Sequence, residues 1–198
     1  MTDDRKTVAP WKVLESKYNY RDRWLALRSD TVELPNGRVL TPFHVIEQPD
    51  WVTALAITRD GNIVLVEEYR HGARQTVVEL PSGIHDGPGE PIDQIKRELL
   101  EETGFASDDW HPLGSFFANA PRLNNRVHCF VALDARKAAE PRLDEGEVIL
   151  THEVPLPRFL EEMRDGRRTF HGFQGGALWL LDAYARRTRD KRLAALLD

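Results

Sequence analysis

The sequence predicts a mixed α/β fold, and two kinds of local pattern predict it. Asn36-Gly37 and Asp60-Gly61 each separate two apolar runs, and both dipeptides favour the two-residue turn of a β-hairpin. Further along the chain, Ile92, Ile95 and Leu99 recur at intervals of three and four residues, which is the period of one helix face. The chain therefore combines antiparallel strands with helices.

The first strands are expected to form an element of their own. Residues 12–46 have the short runs and turn signal of a small antiparallel β meander, whereas the runs from Trp51 onward are denser in apolar residues and typical of strands buried on both faces. We therefore divide the chain into the meander, residues 1–48, and a main domain, residues 49–198. The sequence contains no internal repeat and no linker long enough to separate independent domains.

A Gly/Pro-rich loop at residues 81–89 leads into the helix just described. Pro91 suits the first helical turn and Gly104 the position just after the last one, so the helix is predicted from about residue 91 to 103. Apolar runs then predict two strands and two helices: Val127–Leu133, Val148–Val154, Leu156–Arg164 and Gly175–Leu197.

Composition excludes several classes of protein. The formal net charge is −5, whereas nucleic-acid binders need a strong basic excess to displace counterions from phosphates. No apolar run approaches the roughly 20 residues that cross a bilayer, so neither nucleic acid nor membrane is an expected partner. Residues 1–6 lack the apolar core of a signal peptide. The single cysteine, Cys129, cannot form an intramolecular disulfide, and a cytoplasmic location is expected.

Three glutamates of the predicted helix share one face. Glu98, Glu101 and Glu102 stand at positions i, i+3 and i+4, where like charges repel by roughly a few tenths of a kcal/mol each. A Mg²⁺ ion suits such a cluster because it prefers carboxylate oxygens and substrate phosphates. The alternative is a solvated acidic face offset by Lys96 and Arg97. The Gly-rich loop directly before the helix favours a phosphate site.

Gly83 and the run Arg97–Phe105 resemble the Nudix box, G-x5-E-x7-R-E-U-x-E-E-x-G-U, in which U is a bulky aliphatic or aromatic residue. The second half of the motif is complete, and its spacing from the first glycine equals the family's. The resemblance extends to Val64–Arg70, Glu79–Gly83 and Arg126–Ala132. It implies a Nudix fold, which is an α/β/α sandwich with a mixed β-sheet, here preceded by the meander. It also implies a homodimer in which the N-terminal strands help to complete the partner's site.

The chain departs from the motif at one position. The family places its first glutamate where this sequence has Gly89, and Glu90 follows one position late. Either the loop is rebuilt so that Glu90 reaches the same place, or that role is missing. Because the glutamates of the helix are all present, we expect an active enzyme. A Nudix-like module that binds a nucleotide without cleaving it is the alternative.

The resemblance implies hydrolysis of a nucleoside diphosphate linked to another group, with Mg²⁺ or Mn²⁺ as cofactor. Glu98 and Glu102 are the first choices for metal ligands, with Glu101 bridging or supporting them and with the backbone carbonyl of Ser82 as a further ligand. Arg97 is expected to fix the loop by pairing with a carboxylate. The structural residues of the motif are Gly83, Arg97 and Gly104.

If all three helix glutamates are committed to metal binding, a general base must come from another part of the chain. The loop Leu143–Glu147 lies where similar enzymes keep a mobile catalytic glutamate, which makes Glu147 and Glu145 the candidates. A solvated acidic turn without a catalytic role is the alternative for this segment.

The resemblance is closest in pattern to the ADP-ribose pyrophosphatase branch, which forms AMP and ribose 5-phosphate. In that branch a proline lies sixteen residues beyond the box, and Pro121 lies sixteen residues beyond Phe105. Arg70 stands where the branch contacts phosphate and Glu79 where it contacts adenine or ribose hydroxyls. The usual Ser-Glu pair after the proline is replaced by Asn124–Arg126, which leaves another nucleotide sugar or a dinucleotide, such as GDP-mannose or NADH, as alternatives.

Overall fold

The structure, a computed structural model, describes residues 7–168 and 172–197. Residues 1–6, on which the expectation about a signal peptide rests, lie outside the described residues. No helix of the described segments is long and apolar enough to cross a bilayer.

The chain divides into two units. The first contains the chain up to Pro49 together with Phe117–Asn125, and the second contains Asp50–Phe116 and the chain from Arg126 onward. Each unit has its own β-sheet.

The first unit is built on a three-stranded sheet in the order β1-β2-β3, and both strand pairs are antiparallel. Its strands are β1 (Lys12–Arg21), β2 (Ala26–Glu33) and β3 (Val39–Glu47). The hairpin predicted at Asn36-Gly37 is confirmed by the pairing of β2 with β3, but its loop is longer than two residues. The Gly37 N–H donates to the Leu34 carbonyl over 2.9 Å, so Pro35 and Asn36 are the central residues of the turn, and Gly37 follows with a φ of +79°.

The second unit is built on an eight-stranded mixed sheet. Strands β4 and β10 are parallel, whereas β10–β8, β11–β5, β4–β5, β4–β7 and β5–β6 are antiparallel pairs. The main order is β11-β5-β4-β10-β8, with β6 beside β5, β7 beside β4 and β9 beside β10. The strands are β4 (Asp50–Thr58), β5 (Asn62–Arg70), β6 (Gln75–Glu79), β7 (Ser82–His85), β8 (Phe105–Ala106), β9 (Asp109–Phe117), β10 (Arg126–Lys137) and β11 (Ile149–Pro155). The helices are α1 (Pro91–Thr103), α2 (Leu156–Arg164), α3 (Gly172–Thr188) and α4 (Lys191–Leu197).

Helices cover both faces of this sheet. Val52 and Ala54 of β4 pack with Ile95 of α1, whereas the ring of Trp51 contacts the ring of Phe173 in α3, with 5.9 Å between centroids. Successive strand residues point to opposite faces, so α1 and α3 lie on opposite sides of β4. The predicted α/β/α sandwich with a mixed sheet is confirmed.

The predicted helix from 91 to 103 is confirmed at both ends as α1. Gly104 adopts a φ of +71°, and its N–H donates to the Leu100 carbonyl over 2.8 Å. A Cβ at this position would overlap the carbonyl oxygen of Ala139. Glycine is therefore required here by conformation and by space.

The prediction of one C-terminal helix over Gly175–Leu197 is wrong, because α3 ends at Thr188 and α4 begins at Lys191. Arg189 between them has a φ of +57°, which no α-helix continues. The side chain of Asp190 accepts the N–H of Leu193 over 2.9 Å and so caps α4. The apolar period runs on through this break, which is why the sequence pattern does not show it.

The loop predicted at residues 81–89 is wrong in its first part, where Ser82–His85 form β7. Pairing with β4, in the register of Val52 opposite Gly83, holds this segment extended. Glycine and proline indicate a loop from local preference alone, and the partner strand overrides that preference. Strands β6, β8 and β9 were likewise not predicted.

Candidate active site

Helix α1 presents two of its glutamates to strand β7. The carboxylate of Glu98 lies directly over Gly83, where a Cβ would overlap it. One turn later, Glu102 accepts the backbone N–H of Ser82 through Oε2 over 3.2 Å. The start of β7 therefore contacts both carboxylates, and the structure brings together four residues that the sequence singled out.

Ser82 is fixed from two further sides. Its hydroxyl donates to the Leu80 carbonyl over 2.8 Å and to Oγ1 of the buried Thr53 over 3.1 Å. The backbone at Ser82 is thus tied to β4 as well as to α1, so the position of its peptide groups is set by the sheet.

The two carboxylates are held where ionisation is unfavourable. Burial and, to a smaller extent, the neighbouring Glu98 carboxylate raise the pKa of Glu102 to about 9, against the opposing Ser82 N–H. Burial also raises the pKa of Glu98, which Gln94 and Arg97 partly oppose. A divalent cation beside both groups would favour their ionised forms.

This donor set fits a hard divalent cation. Over residues 7–168 and 172–197, no three or more Asp, Glu, His or Cys side chains form a ready-made metal cage. Mg²⁺, however, is commonly held by one or two carboxylates, with waters and substrate phosphates as its other ligands. The pair Glu98 and Glu102 supplies such carboxylates.

Glu101, the third predicted ligand, lies at the margin of this pair. It is half-buried, and its charge raises the pKa of Glu98. Its backbone carbonyl accepts the N–H of Arg142 over 2.8 Å.

The loop before β11 brings one of the two candidate bases towards the pair. The charge of Glu147 raises the pKa values of Glu68, Glu98 and Glu102, so this carboxylate lies within electrostatic reach of the cluster. Its Oε2 accepts the N–H of Asp144 over 3.0 Å, which closes the turn. Glu145 is exposed.

Arg70 is held between two carboxylates on the same side of the sheet. Its Nε donates to Glu79 Oε1 over 2.6 Å, and its Nη1 lies 3.0 Å from Glu68 Oε2. Glu79 is only 1% exposed, whereas Arg70 is 36% exposed. The guanidinium of Arg70 therefore lies beside the buried carboxylate of Glu79. The charge of Arg70 also lowers the pKa of Glu102, which places Arg70 within electrostatic reach of the pair.

Sequence reasoning did not single out Glu68. Its signal was available, because Glu68 and Arg70 are two residues apart in β5 and so share a face. Val64, on that same face, packs with Leu99 of α1. Because Val64 and Glu68 are four residues apart in one strand, Glu68 also lies on the side of the sheet that α1 covers.

Pro121 belongs to the first unit. It is exposed in a turn in which the N–H of Leu123 donates to the Asn119 carbonyl over 2.7 Å. The side chain of Asn124 accepts the N–H of Gln48 over 3.0 Å.

The departure at the first motif glutamate has a structural basis. Gly89 has a φ of +148°, a conformation that side chains disfavour. Glu90 is exposed at the N-cap of α1, and its carbonyl accepts the N–H of Asp93 over 3.0 Å. Arg97, which we expected to pair with a carboxylate, donates instead from Nη2 to the amide oxygen of Gln94 over 2.8 Å.

Comparison with known proteins agrees with this arrangement. A family model described as "Nucleoside diphosphate sugar hydrolase N-terminal domain" matches residues 11–46, and one described as "NUDIX domain" matches residues 49–171. The chain is 31% identical to an ADP-ribose pyrophosphatase of Bacillus subtilis (77% of this chain, 80% of the relative). It is also 31% identical to a methanol dehydrogenase activator of Bacillus methanolicus (79% of this chain, 84% of the relative).

The fold agrees with a solved structure described as "Crystal structure of ADP compounds hydrolase", at a TM-score of 0.79 and 21% identity over 93% of this chain and 98% of that one. The chain belongs to the Nudix family. Within it, the chain is a Nudix-type pyrophosphohydrolase. Nudix hydrolases generally use divalent metal ions.

Gly83→Ala tests the packing of β7 on the glutamate pair. The new methyl group has no room unless Glu98 moves, so we expect metal-dependent turnover to fall by about 10- to 100-fold. The free energy of unfolding should change little, because a flexible side chain can yield. The matched control is Gly87→Ala in the following loop, where a Cβ meets nothing within 4 Å. Equal turnover of the two variants would contradict the packing.

The raised pKa of Glu102 predicts a pH-dependent stability in EDTA. The folded state retains the proton up to a pKa of about 9 and the unfolded state only to its ordinary value of 4.5. The stabilisation is therefore complete below the lower value and is lost as the pH rises through this window, by at most about 1.4 kcal/mol per pH unit.

The variant Glu102→Gln has no proton to lose at this position. Its free energy of unfolding should therefore rise relative to that of wild type as the pH increases from 4.5 to about 9. Urea unfolding of both proteins at several pH values measures the difference. Glu101→Gln is the control, and we expect it to retain the wild-type slope. A slope unaltered in Glu102→Gln would contradict the assignment.

Proposed function

We propose that the protein hydrolyses the pyrophosphate bond of a nucleoside diphosphate sugar, with ADP-ribose as the preferred substrate and with AMP and ribose 5-phosphate as products. The observation that carries this proposal is the pair formed by the half-buried Glu98 and the buried Glu102, which β7 contacts at Ser82 and Gly83. The name of the Bacillus subtilis relative supports ADP-ribose. Pro121, at the spacing described above, supports the same branch.

The cofactor in this proposal is Mg²⁺ or Mn²⁺. Glu98 and Glu102 would hold the ion through their carboxylates, with the backbone carbonyl of Ser82 as a further ligand and with Glu101 in support. A cation held there would supply Lewis-acid chemistry, because it would offset the negative charge of the diphosphate and favour attack by water. The burial of Glu102 would serve this binding, because it limits competition from water at that carboxylate.

Arg70 binds the diphosphate in this mechanism. Its guanidinium is fixed on two sides by Glu68 and Glu79, so its remaining donors are oriented before substrate arrives. Glu79 acts mainly by holding Arg70, because only 1% of its side chain is exposed. This replaces the direct contact with adenine or ribose hydroxyls that the resemblance implied for it.

Glu147 is the general base that we favour. It removes a proton from the attacking water, whose oxygen bonds to phosphorus while the bridging P–O bond breaks and the second phosphate group leaves. The charge of Glu147 acts on both Glu98 and Glu102, which supports its assignment. Glu145 is the second candidate.

Two alternatives are weaker. Hydrolysis of GDP-mannose or NADH is favoured only by the replacement of the usual Ser-Glu pair after Pro121. A module that binds a nucleotide without cleaving it has little reason to hold two repelling carboxylates side by side, one of them buried.

The proposal extends to assembly and location. The first unit, with residues 1–48 at its centre, serves as a dimerisation element. Strand β1 is exposed along its whole length. Tyr18 and Tyr20 of this strand and Trp11 just before it are exposed aromatic residues, and such an exposed apolar surface is typical of an interface. A cytoplasmic location is supported by Cys129, which is buried as a free thiol.

A substrate panel with Mg²⁺ and with Mn²⁺ tests the proposed function. We expect AMP and ribose 5-phosphate from ADP-ribose, and we expect Glu98→Gln and Glu102→Gln each to lose more than about 100-fold in turnover while remaining folded. Lys96→Gln, on the exposed side of the same helix, is the control and should keep the wild-type rate. Hydrolysis confined to GDP-mannose or NADH would change the assigned substrate. If no compound of the panel is hydrolysed in a metal-dependent way, the proposed function is refuted.

The choice of base is tested by a matched pair in one loop. We expect Glu147→Gln to lower kcat by about 10²- to 10⁴-fold, with little change in KM, because it removes proton transfer and leaves binding intact. Glu145→Gln should differ from wild type by less than about twofold, since its side chain is exposed. The reverse ranking would transfer the role to Glu145.

A further inference from the structure

The side chain of Gln94 bridges the side chains of Arg97 and Glu98, which lie one turn further along helix α1. Its amide oxygen accepts a hydrogen bond from Arg97 Nη2 over 2.8 Å, and its amide nitrogen donates to Glu98 Oε1 over 2.5 Å. One neutral side chain thus connects a guanidinium to a proposed metal ligand.

The chemistry of the three groups fixes the direction of both bonds. A guanidinium has donors only, and a carboxylate has acceptors only. A primary amide placed between them must turn its oxygen to Arg97 and its NH₂ group to Glu98. The orientation of Gln94 therefore follows from its neighbours, and in this orientation it leaves Glu98 Oε2 available to a cation.

Gln94 and Gly83 restrain Glu98 from two directions. The backbone of β7 at Gly83 limits the carboxylate on the strand side, and the amide of Gln94 holds it from the preceding turn of the helix. The loop before the helix offers no equivalent side chain at position 89, since Gly89 has only a hydrogen there, and Glu90 is exposed at the N-cap.

We propose that Gln94 is a positioning residue that orients Glu98 for divalent metal binding, and that Arg97 acts on the metal site through Gln94. This inference rests on the proposed function in so far as Glu98 is a metal ligand there. It assigns to Gln94 a role that lies outside the residues of the motif and that the departure at position 89 makes necessary.

Gln94→Met tests the proposal, because methionine has a similar length and a comparable helix propensity but neither hydrogen bond. The probe is Mn²⁺ alone, added to metal-free protein and followed by the electron paramagnetic resonance signal of the free ion. We expect the dissociation constant for Mn²⁺ to rise about tenfold, the lower end of the effect seen when a partner of a metal ligand is removed. In assays with ADP-ribose, saturating Mn²⁺ should restore kcat, which a general loss of structure would not allow.

A double-mutant cycle separates the contributions of Gln94 and Arg97 to Mn²⁺ binding. Arg97→Met alone should weaken Mn²⁺ binding by a smaller factor, and in the Gln94→Met background it should cause no further loss, because its effect passes through the amide. The control is Lys96→Gln, an exposed residue of the same helix, which should bind Mn²⁺ as wild type does. Additive losses from Gln94→Met and Arg97→Met would overturn the role of Arg97.

The outcomes distinguish this inference from the proposed function. If wild type binds Mn²⁺ through Glu98 and Gln94→Met binds it equally well, the positioning role is refuted and the proposed function stands. If Glu98→Gln binds Mn²⁺ as tightly as wild type, the metal assignment fails, and the positioning role fails with it.

Discussion

The packing of helix α1 against strand β7 is the contact on which the site depends. It needs a glycine at position 83, where the Glu98 carboxylate occupies the space of a Cβ, and a free N–H at Ser82, which Glu102 accepts. Both strand residues are set by pairing with β4. The central strand of the sheet therefore determines where the helix can place its carboxylates.

This arrangement is unfavourable for the folded protein by itself. Two carboxylates lie one helical turn apart, Glu98 half-buried and Glu102 buried, and the pKa of Glu102 rises to about 9. Such a cost is typical of functional sites, where side chains are held for chemistry and not for stability. The nearby Arg70 lowers the pKa of Glu102, but Glu68 and Glu79 already engage its guanidinium. The site as a whole therefore favours an added cation.

Local sequence signals were enough to predict part of this site. Helix α1 begins and ends where its proline and glycine indicate, and Glu98 and Glu102 share a face because they are four residues apart. The turn at Asn36-Gly37 follows from the same kind of local preference.

Features that depend on a distant partner were not predictable in this way. The extended conformation of β7 is imposed by β4, and the partner of Arg97 is decided by which side chain lies within reach on the folded helix. The electrostatic effect of Glu147 on Glu98 and Glu102 likewise depends on how the loop before β11 folds beside α1. Gly89 looked like a defect in the motif, and its φ of +148° gives the substitution a conformational reason.

The most direct measurement is anomalous X-ray diffraction from crystals of the protein grown with Mn²⁺. We predict an anomalous peak within about 2.0–2.6 Å of the carboxylate oxygens of Glu98 and Glu102. A manganese peak elsewhere in the protein, with none between these two side chains, would contradict the central claim that β7 and α1 together build a divalent metal site.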